Sequence, residues 1–216
     1  MNEHSLLSSS EQINYDHSDV EVVKKEPLYK GFFECNKYTL RHKLFAGGWS
    51  PEIQREFFER GHAAAVLPYD AETDTVVLVE QFRFGAMGGQ QSPWLLELVA
   101  GIIEEGEKAA EVVEREALEE AGLTVKSCRF ILNFLVSPGG TTEKIDLFIA
   151  DVDSSDVGGI HGLAEEGEDI RVHVVPRETA YQWVIDGKIN NAAAVIALQW
   201  LELNKDTWQV SHTDNI

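Results

Sequence analysis

The chain has 216 residues, of which 18 are Lys or Arg and 37 are Asp or Glu, giving a formal net charge of −19. Its hydrophobic content of 44% is enough for a packed core, which excludes a chain disordered along its whole length. The acidic balance argues against nucleic acid or an anionic membrane surface as a partner, because both favour a basic face. Such a chain can still bind a polyanionic small molecule when a divalent cation bridges the two.

The two ends and the cysteines predict a soluble, cytoplasmic protein. Residues 1–19 are polar and lack the basic and apolar segments of a secretory signal, so we expect a flexible tail over residues 1–20. No apolar run approaches the roughly 18–20 residues of a membrane-spanning helix. Cys35 and Cys128 stand alone, without zinc spacing or a disulfide framework, and we expect both to be reduced.

Taken in chain order, the segments predict strands mixed with a few helices. Residues 28–45 predict one or two strands, and residues 50–52 a loop or a helical turn. A hairpin follows, with strands at 62–67 and 75–82 and a seven-residue connection. Further strands are predicted at 95–100, 129–136, 144–150 and 170–175, helices at 108–121, 177–186 and 191–203, and loops at 85–93 and 151–169.

The order of these segments indicates the fold class and the domains. Helices occur among antiparallel-looking strands rather than in regular alternation, which predicts an α+β protein, an α/β/α sandwich around a mixed β-sheet. A small N-terminal β region at 21–57 precedes a main domain at 58–204, and residues 205–216 form a C-terminal tail.

The segment 101–123 carries the strongest chemical signal, with eight Glu residues. On a helix, Glu116, Glu119 and Glu120 fall within an arc of about 100° beside the apolar face. Carboxylates at these spacings approach within about 6 Å, and each pair repels by roughly 2–3 kcal/mol at an effective dielectric of ~20. A divalent cation relieves that repulsion, and carboxylate oxygens are the ligands that Mg²⁺ and Mn²⁺ accept.

A solvated acidic stripe is the alternative interpretation of this helix. Acids in a first turn favour the positive end of the helix dipole, which accounts for Glu104, Glu105 and Glu107. It does not account for a cluster at the C-terminal end, where negative charge is unfavourable. The cluster therefore favours a metal site.

The same segment resembles the Nudix box, G-x5-E-x7-R-E-U-x-E-E-x-G-U, where U is an aliphatic residue. A chance match at its fixed positions is on the order of one in a hundred thousand for this composition. The resemblance implies a Nudix-type sandwich and a Nudix hydrolase domain over residues 58–204. The fixed positions are filled by Gly101, Glu107, Arg115, Glu116, Glu119, Glu120 and Gly122, and the aliphatic ones by Ala117 and Leu123.

The family resemblance also implies roles for these residues. Glu116 and Glu120 would bind Mg²⁺, or Mn²⁺ in its place, together with the carbonyl of Ala100. Glu119 would assist, and Arg115 lies one helical turn before it, where it can hold that carboxylate by a charge-assisted bond. Gly101 would permit a tight loop before the helix.

Two loops beyond the box indicate the substrate. Pro138, 15 residues after Leu123, resembles the ADP-ribose pyrophosphatase branch of the superfamily, and a plain β-turn is the alternative. The substrate loop implied by that branch contains Ser137, Pro138, Gly139 and Glu143.

The second loop, residues 162–169, is acidic and contains two glycines. Its counterpart in the resembled branch supplies the catalytic base, here Glu166, and one more metal ligand, here Glu168. Glu165 competes with Glu166 as the base, and a solvated loop is the alternative for the whole segment.

The N-terminal region carries further residues of the resemblance. In that branch it is exchanged across a homodimer and contacts the substrate of the neighbouring subunit. Arg83 resembles an arginine near the adenine and phosphates, and a surface arginine is the alternative. The residues that the resemblance implies in the N-terminal region are Phe32, Phe33, Arg55, Glu56 and Arg60. For the two phenylalanines, packing in the core of a strand is the alternative.

The resemblance as a whole implies an enzyme that hydrolyses ADP-ribose to AMP and ribose 5-phosphate. Metal ions would acidify a water molecule, and Glu166 would take its proton. The expected partners are a nucleoside diphosphate sugar and a second copy of the chain, with neither nucleic acid nor membrane. Two alternatives remain: hydrolysis of another nucleoside diphosphate sugar, and a sensor that binds ADP-ribose without catalysis.

Overall fold

The computed structural model describes residues 15–89 and 91–213, without the side chains at 166, 207 and 209–213. Parts of the two predicted tails, residues 1–14 and 214–216, lie outside the described residues. The chain divides into two compact units. Unit 1 consists of residues 1–60 with 139–141, and unit 2 of residues 61–138 with 142–216.

Unit 1 is a three-stranded antiparallel sheet in the order β1-β2-β3. It is preceded by a 3₁₀ turn at His17–Asp19. The sequence predicted one or two strands here and did not predict the third, because consecutive Phe57 and Phe58 interrupt the alternation that marks a strand. The strands are β1 (Val20–Lys30), β2 (Glu34–His42) and β3 (Ile53–Glu59).

In its described residues, unit 2 contains the large sheet and three α-helices. The sheet runs in the order β10-β11-β5-β4-β9-β8, with β6 added to β5 and β7 added to β4. Its strands are β4 (Ala63–Asp70), β5 (Thr75–Phe82), β6 (Trp94–Glu97), β7 (Val99–Ile102), β8 (Ser127–Leu135), β9 (Lys144–Asp151), β10 (Gly159–His161) and β11 (Ile170–Pro176). The helices are α1 (Ala109–Ala121), α2 (Arg177–Ile185) and α3 (Ala192–Thr213). Because β4 and β9 are parallel while the other pairs are antiparallel, the predicted mixed sheet is confirmed.

The side chains of β4 show how the layers are stacked. Successive strand residues point to opposite faces. Ala64 and Val66 pack with the apolar side of α1, whereas Ala65 and Leu67 pack with residues of α2 and α3. All four are fully buried. Helices therefore cover both faces of the sheet, and the α/β/α sandwich is confirmed.

Several predicted boundaries differ from the structure. The hairpin connection is four residues, 71–74, because β4 continues through Pro68 to Asp70 beside parallel β9. The segment 95–100 is two strands, β6 and β7, which pair with different neighbours. A short strand, β10, lies within the predicted loop at 151–169.

Helix α3 continues past its predicted end at residue 203 to Thr213. Trp208, one heptad beyond Leu201, is buried in the same cluster, so the apolar face persists through a polar sequence. Within the described ranges, none of the helices has the length and apolar character that crossing a bilayer would require.

Candidate active site

Helix α1 and strand β7 together place the acidic residues. The helix ends at Gly122, which adopts a left-handed conformation with φ of 64°. Val113 and Ala117 are buried against the sheet, so the carboxylates beside them lie at the edge of the core. Glu120 is 3% exposed, and its Oε2 accepts a hydrogen bond of 3.0 Å from the amide of Ala100 on β7.

Burial and neighbouring charge both disfavour ionised carboxylates in this region. Burial raises the pKa of Glu120 to about 8, with contributions from the charges of Glu116 and Glu168, while the Ala100 amide and Arg83 oppose the shift. Burial also raises the pKa of Glu116, and the charge of Glu168 again contributes. Glu116, Glu120 and Glu168 therefore share one electrostatic environment that a cation would relieve.

Gly101 allows the close approach of Glu116 to β7. A Cβ atom at residue 101 would lie 1.9 Å from Oε1 of Glu116 and 2.4 Å from its Cδ. Gly101 lies inside strand β7 rather than in a tight loop, so the expected role in a turn is wrong. The glycine is required because the backbone and the carboxylate occupy adjacent space.

Arg115 bridges two acidic residues of α1, Glu116 and Glu119, and a third, Glu107, that precedes the helix. Its Nη1 donates to Oε1 of Glu116 at 2.9 Å and to Oε2 of Glu119 at 3.1 Å. Its Nη2 lies 3.7 Å from Oε1 of Glu107. A guanidinium held by three carboxylates is well placed to fix their orientation.

The acidic loop folds back on itself around Glu168. Oε2 of Glu168 accepts a hydrogen bond of 3.1 Å from the amide of Leu163. A Cβ at Gly162 would lie 2.7 Å from the Cβ of Glu168, so only glycine permits this closure. The side chain of Glu166 lies outside the described part of the structure, and Glu165 is exposed. The assignment of the base to one of these two residues therefore stays a prediction.

The carboxylate oxygens of Glu116, Glu120 and Glu168 are ligands that suit a divalent cation, although these side chains do not converge on one point. In the described residues, no group of three or more His, Cys, Asp or Glu side chains could hold a metal ion as arranged. Each carboxylate has a protein donor instead: Arg115 for Glu116, and backbone amides for Glu120 and Glu168. Hard oxygen donors fit Mg²⁺ or Mn²⁺, whose positive charge would relieve the repulsion among these carboxylates.

The predicted substrate residues of unit 2 lie at strand ends. Arg83 follows β5 and is half exposed, with its Nε 2.8 Å from Oε2 of Glu97. Ser137 and Pro138 are exposed after β8, and Glu143 is buried just before β9. Arg83 is thus a surface arginine that a carboxylate holds, and its contact with the substrate stays a prediction.

The predicted substrate residues of unit 1 form an exposed aromatic group. Phe32 is 90% exposed, and its ring meets that of Phe33 edge to face at 4.7 Å between centroids. Cζ of Arg60 lies 5.2 Å from the Phe33 centroid. Strand-core packing, the alternative interpretation, is thus wrong for Phe32. Arg55 and Glu56 are exposed on β3, and Gly139 belongs to the same unit.

The comparison with known protein families decides the classification. The NUDIX domain model matches residues 59–198, about two thirds of the chain. The chain belongs to the Nudix family. It is 55% identical over 200 residues to the ADP-ribose pyrophosphatase of Escherichia coli strain K12, covering 91% of this chain and 96% of that protein.

Two further comparisons agree with that classification. The ADP-ribose pyrophosphatase of Haemophilus influenzae is 52% identical over 198 residues, covering 90% of this chain and 91% of that protein. A crystal structure described as an ADP compounds hydrolase shares the fold, with a TM-score of 0.63 at 20% identity. It covers 85% of this chain and 95% of that one. The Nudix fold assignment thus rests on sequence and structure together.

Three residues at this Nudix site were not predicted from the sequence. The amide of Leu163 holds the carboxylate of Glu168, Gly162 leaves room for the Cβ of Glu168, and Glu97 holds Arg83. An acid inside the apolar segment 94–100 is a signal that could have identified Glu97, because carboxylates in short buried strands need a partner. The role of Leu163 rests on its backbone amide. Because almost every residue type has such an amide, the sequence gives no signal for this role.

Proposed function

We propose that this Nudix enzyme hydrolyses ADP-ribose to AMP and ribose 5-phosphate, using Mg²⁺, with Mn²⁺ as a substitute. We further propose that it acts in the cytoplasm as a homodimer. The observation that carries the proposal is the shared environment of Glu116, Glu120 and Glu168, where burial and mutual repulsion raise the carboxyl pKa values of the two helical residues. The identity to two proteins named ADP-ribose pyrophosphatase supports the substrate.

In the proposed reaction, Glu116, Glu120, Glu168 and the carbonyl of Ala100 would hold the metal ions. Bound Mg²⁺ supplies Lewis-acid activation of water and neutralises charge on the diphosphate. Arg115 orients Glu116, and it also binds Glu119 so that both carboxylates face a fixed direction. The Ala100 amide fixes the carboxylate of Glu120.

The chemical step needs one proton acceptor and one leaving group. Glu166 accepts the proton of the attacking water, whose oxygen forms a bond to one phosphorus. The bridging P–O bond breaks, and the bridging oxygen leaves with the other phosphate. Atoms balance, since one water is consumed and the products are AMP and ribose 5-phosphate.

Substrate binding in the proposal uses both groups of predicted residues. The exposed ring of Phe32 suits stacking on adenine, with Phe33, Arg55, Glu56 and Arg60 completing the group in the homodimer. On the other unit, Arg83 would contact the phosphates. The loop residues Ser137, Pro138, Gly139 and Glu143 would border the substrate.

The decisive test is incubation with ADP-ribose, with Mg²⁺ in one series and a chelator in the other, followed by identification of the products. We expect AMP and ribose 5-phosphate only with the metal. Glu116→Gln should abolish turnover, while Glu114→Gln, an exposed residue of the same helix, should retain it. Full activity of Glu116→Gln would contradict the ligand assignment.

Two outcomes would favour the alternatives. If another nucleoside diphosphate sugar shows a much higher kcat/KM than ADP-ribose in a panel, the substrate assignment is wrong. If calorimetry shows binding of ADP-ribose with Mg²⁺ but no AMP is released, the protein is a sensor. For the base, Glu166→Gln should lower kcat by at least about 100-fold, whereas Glu165→Gln should change it by less than about threefold.

A further inference from the structure

An acidic residue on strand β6 contacts the predicted phosphate-binding arginine. Oε2 of Glu97 accepts a hydrogen bond of 2.8 Å from Nε of Arg83. The Glu97 side chain is 16% exposed, whereas that of Arg83 is 48% exposed. The Glu97 carboxylate is therefore mostly buried beside the sheet, whereas the longer Arg83 side chain extends toward solvent.

The sheet register directs Glu97 toward the catalytic helix. Glu97 lies opposite Val79 in the antiparallel pairing of β5 and β6. Residues directly opposite each other share a face of the sheet. Val79 is buried in the cluster that contains Val112 and Val113 of α1. Glu97 therefore emerges on the face that α1 covers, where the acidic cluster lies.

The position of Arg83 is coupled electrostatically to that cluster. Its charge acts on Glu120 and opposes the rise in the pKa of that carboxyl, which burial dominates. The bond to Glu97 uses Nε, and the two Nη groups make no hydrogen bond to another described residue. These Nη groups carry the donors that match a phosphate in a two-pronged contact.

We propose that Glu97 is a positioning residue that holds Arg83 in the orientation needed to bind the substrate diphosphate. This inference rests on the proposed function. An arginine side chain has several rotatable bonds and loses rotamer entropy when it is fixed. Glu97 fixes it before the substrate arrives, so that substrate binding does not have to order the arginine.

The test uses graded substitutions of Glu97. Glu97→Met removes the acceptor but keeps an unbranched side chain of similar length. Glu97→Gln keeps an acceptor oxygen but removes the charge, so it should be intermediate. We expect Glu97→Met to raise KM for ADP-ribose about tenfold and to leave kcat within about threefold. Glu111→Gln, which breaks the exposed ion pair with Lys108, is the matched control and should change neither.

Two further measurements separate positioning from a general structural effect. In the Arg83→Gln background, Glu97→Met should cause no additional rise in KM, because the residue acts through Arg83. Methylenediphosphonate and adenosine serve as competitive inhibitors that probe the phosphate and the base separately. Glu97→Met should raise Ki for the first in step with KM and leave Ki for the second within about twofold.

The outcomes are distinguishable from failure of the proposed function. If the wild-type protein does not hydrolyse ADP-ribose, the function is wrong, and the series is repeated with the nucleoside diphosphate sugar that it hydrolyses best. An unchanged KM in Glu97→Met, or additive effects with Arg83→Gln, would overturn the positioning role. Equal increases of both Ki values would also overturn it. Thermal unfolding of each variant shows whether the fold is retained.

Discussion

Replacing Glu120 by Gln should stabilise the metal-free protein while abolishing its activity. Burial raises the pKa of Glu120 to about 8 in the folded state, compared with 4.5 for a free glutamate. Folding at neutral pH therefore requires this side chain to take up a proton. Gln is neutral, has nearly the same shape, and offers an oxygen that can accept the hydrogen bond from the Ala100 amide.

The magnitude follows from proton linkage. One pH unit corresponds to about 1.4 kcal/mol, so the interval from 4.5 to pH 7 costs about 3 kcal/mol of folding free energy. Because the folded pKa is raised, the contribution to stability is fully present below pH 4.5 and is lost as the pH rises toward 8. The Glu120→Gln variant should not lose this contribution, since it has no proton to bind.

Chemical denaturation of the metal-free protein, with a chelator present and at several pH values between 4.5 and 8, measures this difference in stability. The difference in unfolding free energy between variant and wild type should grow with pH and reach about 3 kcal/mol at pH 7. Glu114→Gln, the same change at an exposed position, should stay within about 0.5 kcal/mol of wild type. Mg²⁺ should raise Tm for the wild type more than for the variant. A pH-independent difference, or a destabilised variant, would refute the reasoning.

Two further predictions concern contacts that only the structure reveals. Gly101→Ala places a Cβ 1.9 Å from Oε1 of Glu116, so we expect a loss of about 100-fold in kcat/KM and about 1–3 kcal/mol in stability. Gly88→Ala, at a glycine with open space around it, should have little effect, and comparable losses in both would contradict this explanation. Ser154→Ala should cost about 1–3 kcal/mol at pH 7, because it removes the hydroxyl that donates to buried Asp70 and leaves only the bond from the Ser154 amide. Burial alone would raise the pKa of Asp70, but hydrogen bonds from Ser154 and Thr73 outweigh it and lower the pKa to about 2, so the stabilisation holds above pH 3.8 and fades as the pH falls toward 2. Denaturation at pH 7 and pH 2.5 checks this, and an unchanged difference between the two would count against it.

Local sequence patterns predicted much of the fold and little of its fine geometry. The apolar periodicity of α1 predicts its start and end within one residue, since the 3.6-residue repeat and Gly122 are local signals. The end of α3 was missed because buried Trp208 follows a polar segment, and its burial depends on residues distant in the chain. Likewise, β6 and β7 are continuous in sequence but pair with different strands.

The sequence by itself determined the family and the acidic stripe on α1. Spacing along one helix is enough for that, because side chains three and four residues apart always share a face. Only the tertiary structure decided how these acids behave. Packing of β7 against α1 buries Glu120, brings Gly101 against Glu116, and thereby raises the two carboxyl pKa values. The bond between Arg83 and Glu97 likewise exists because β5 and β6 pair, a contact between segments that no local pattern specifies.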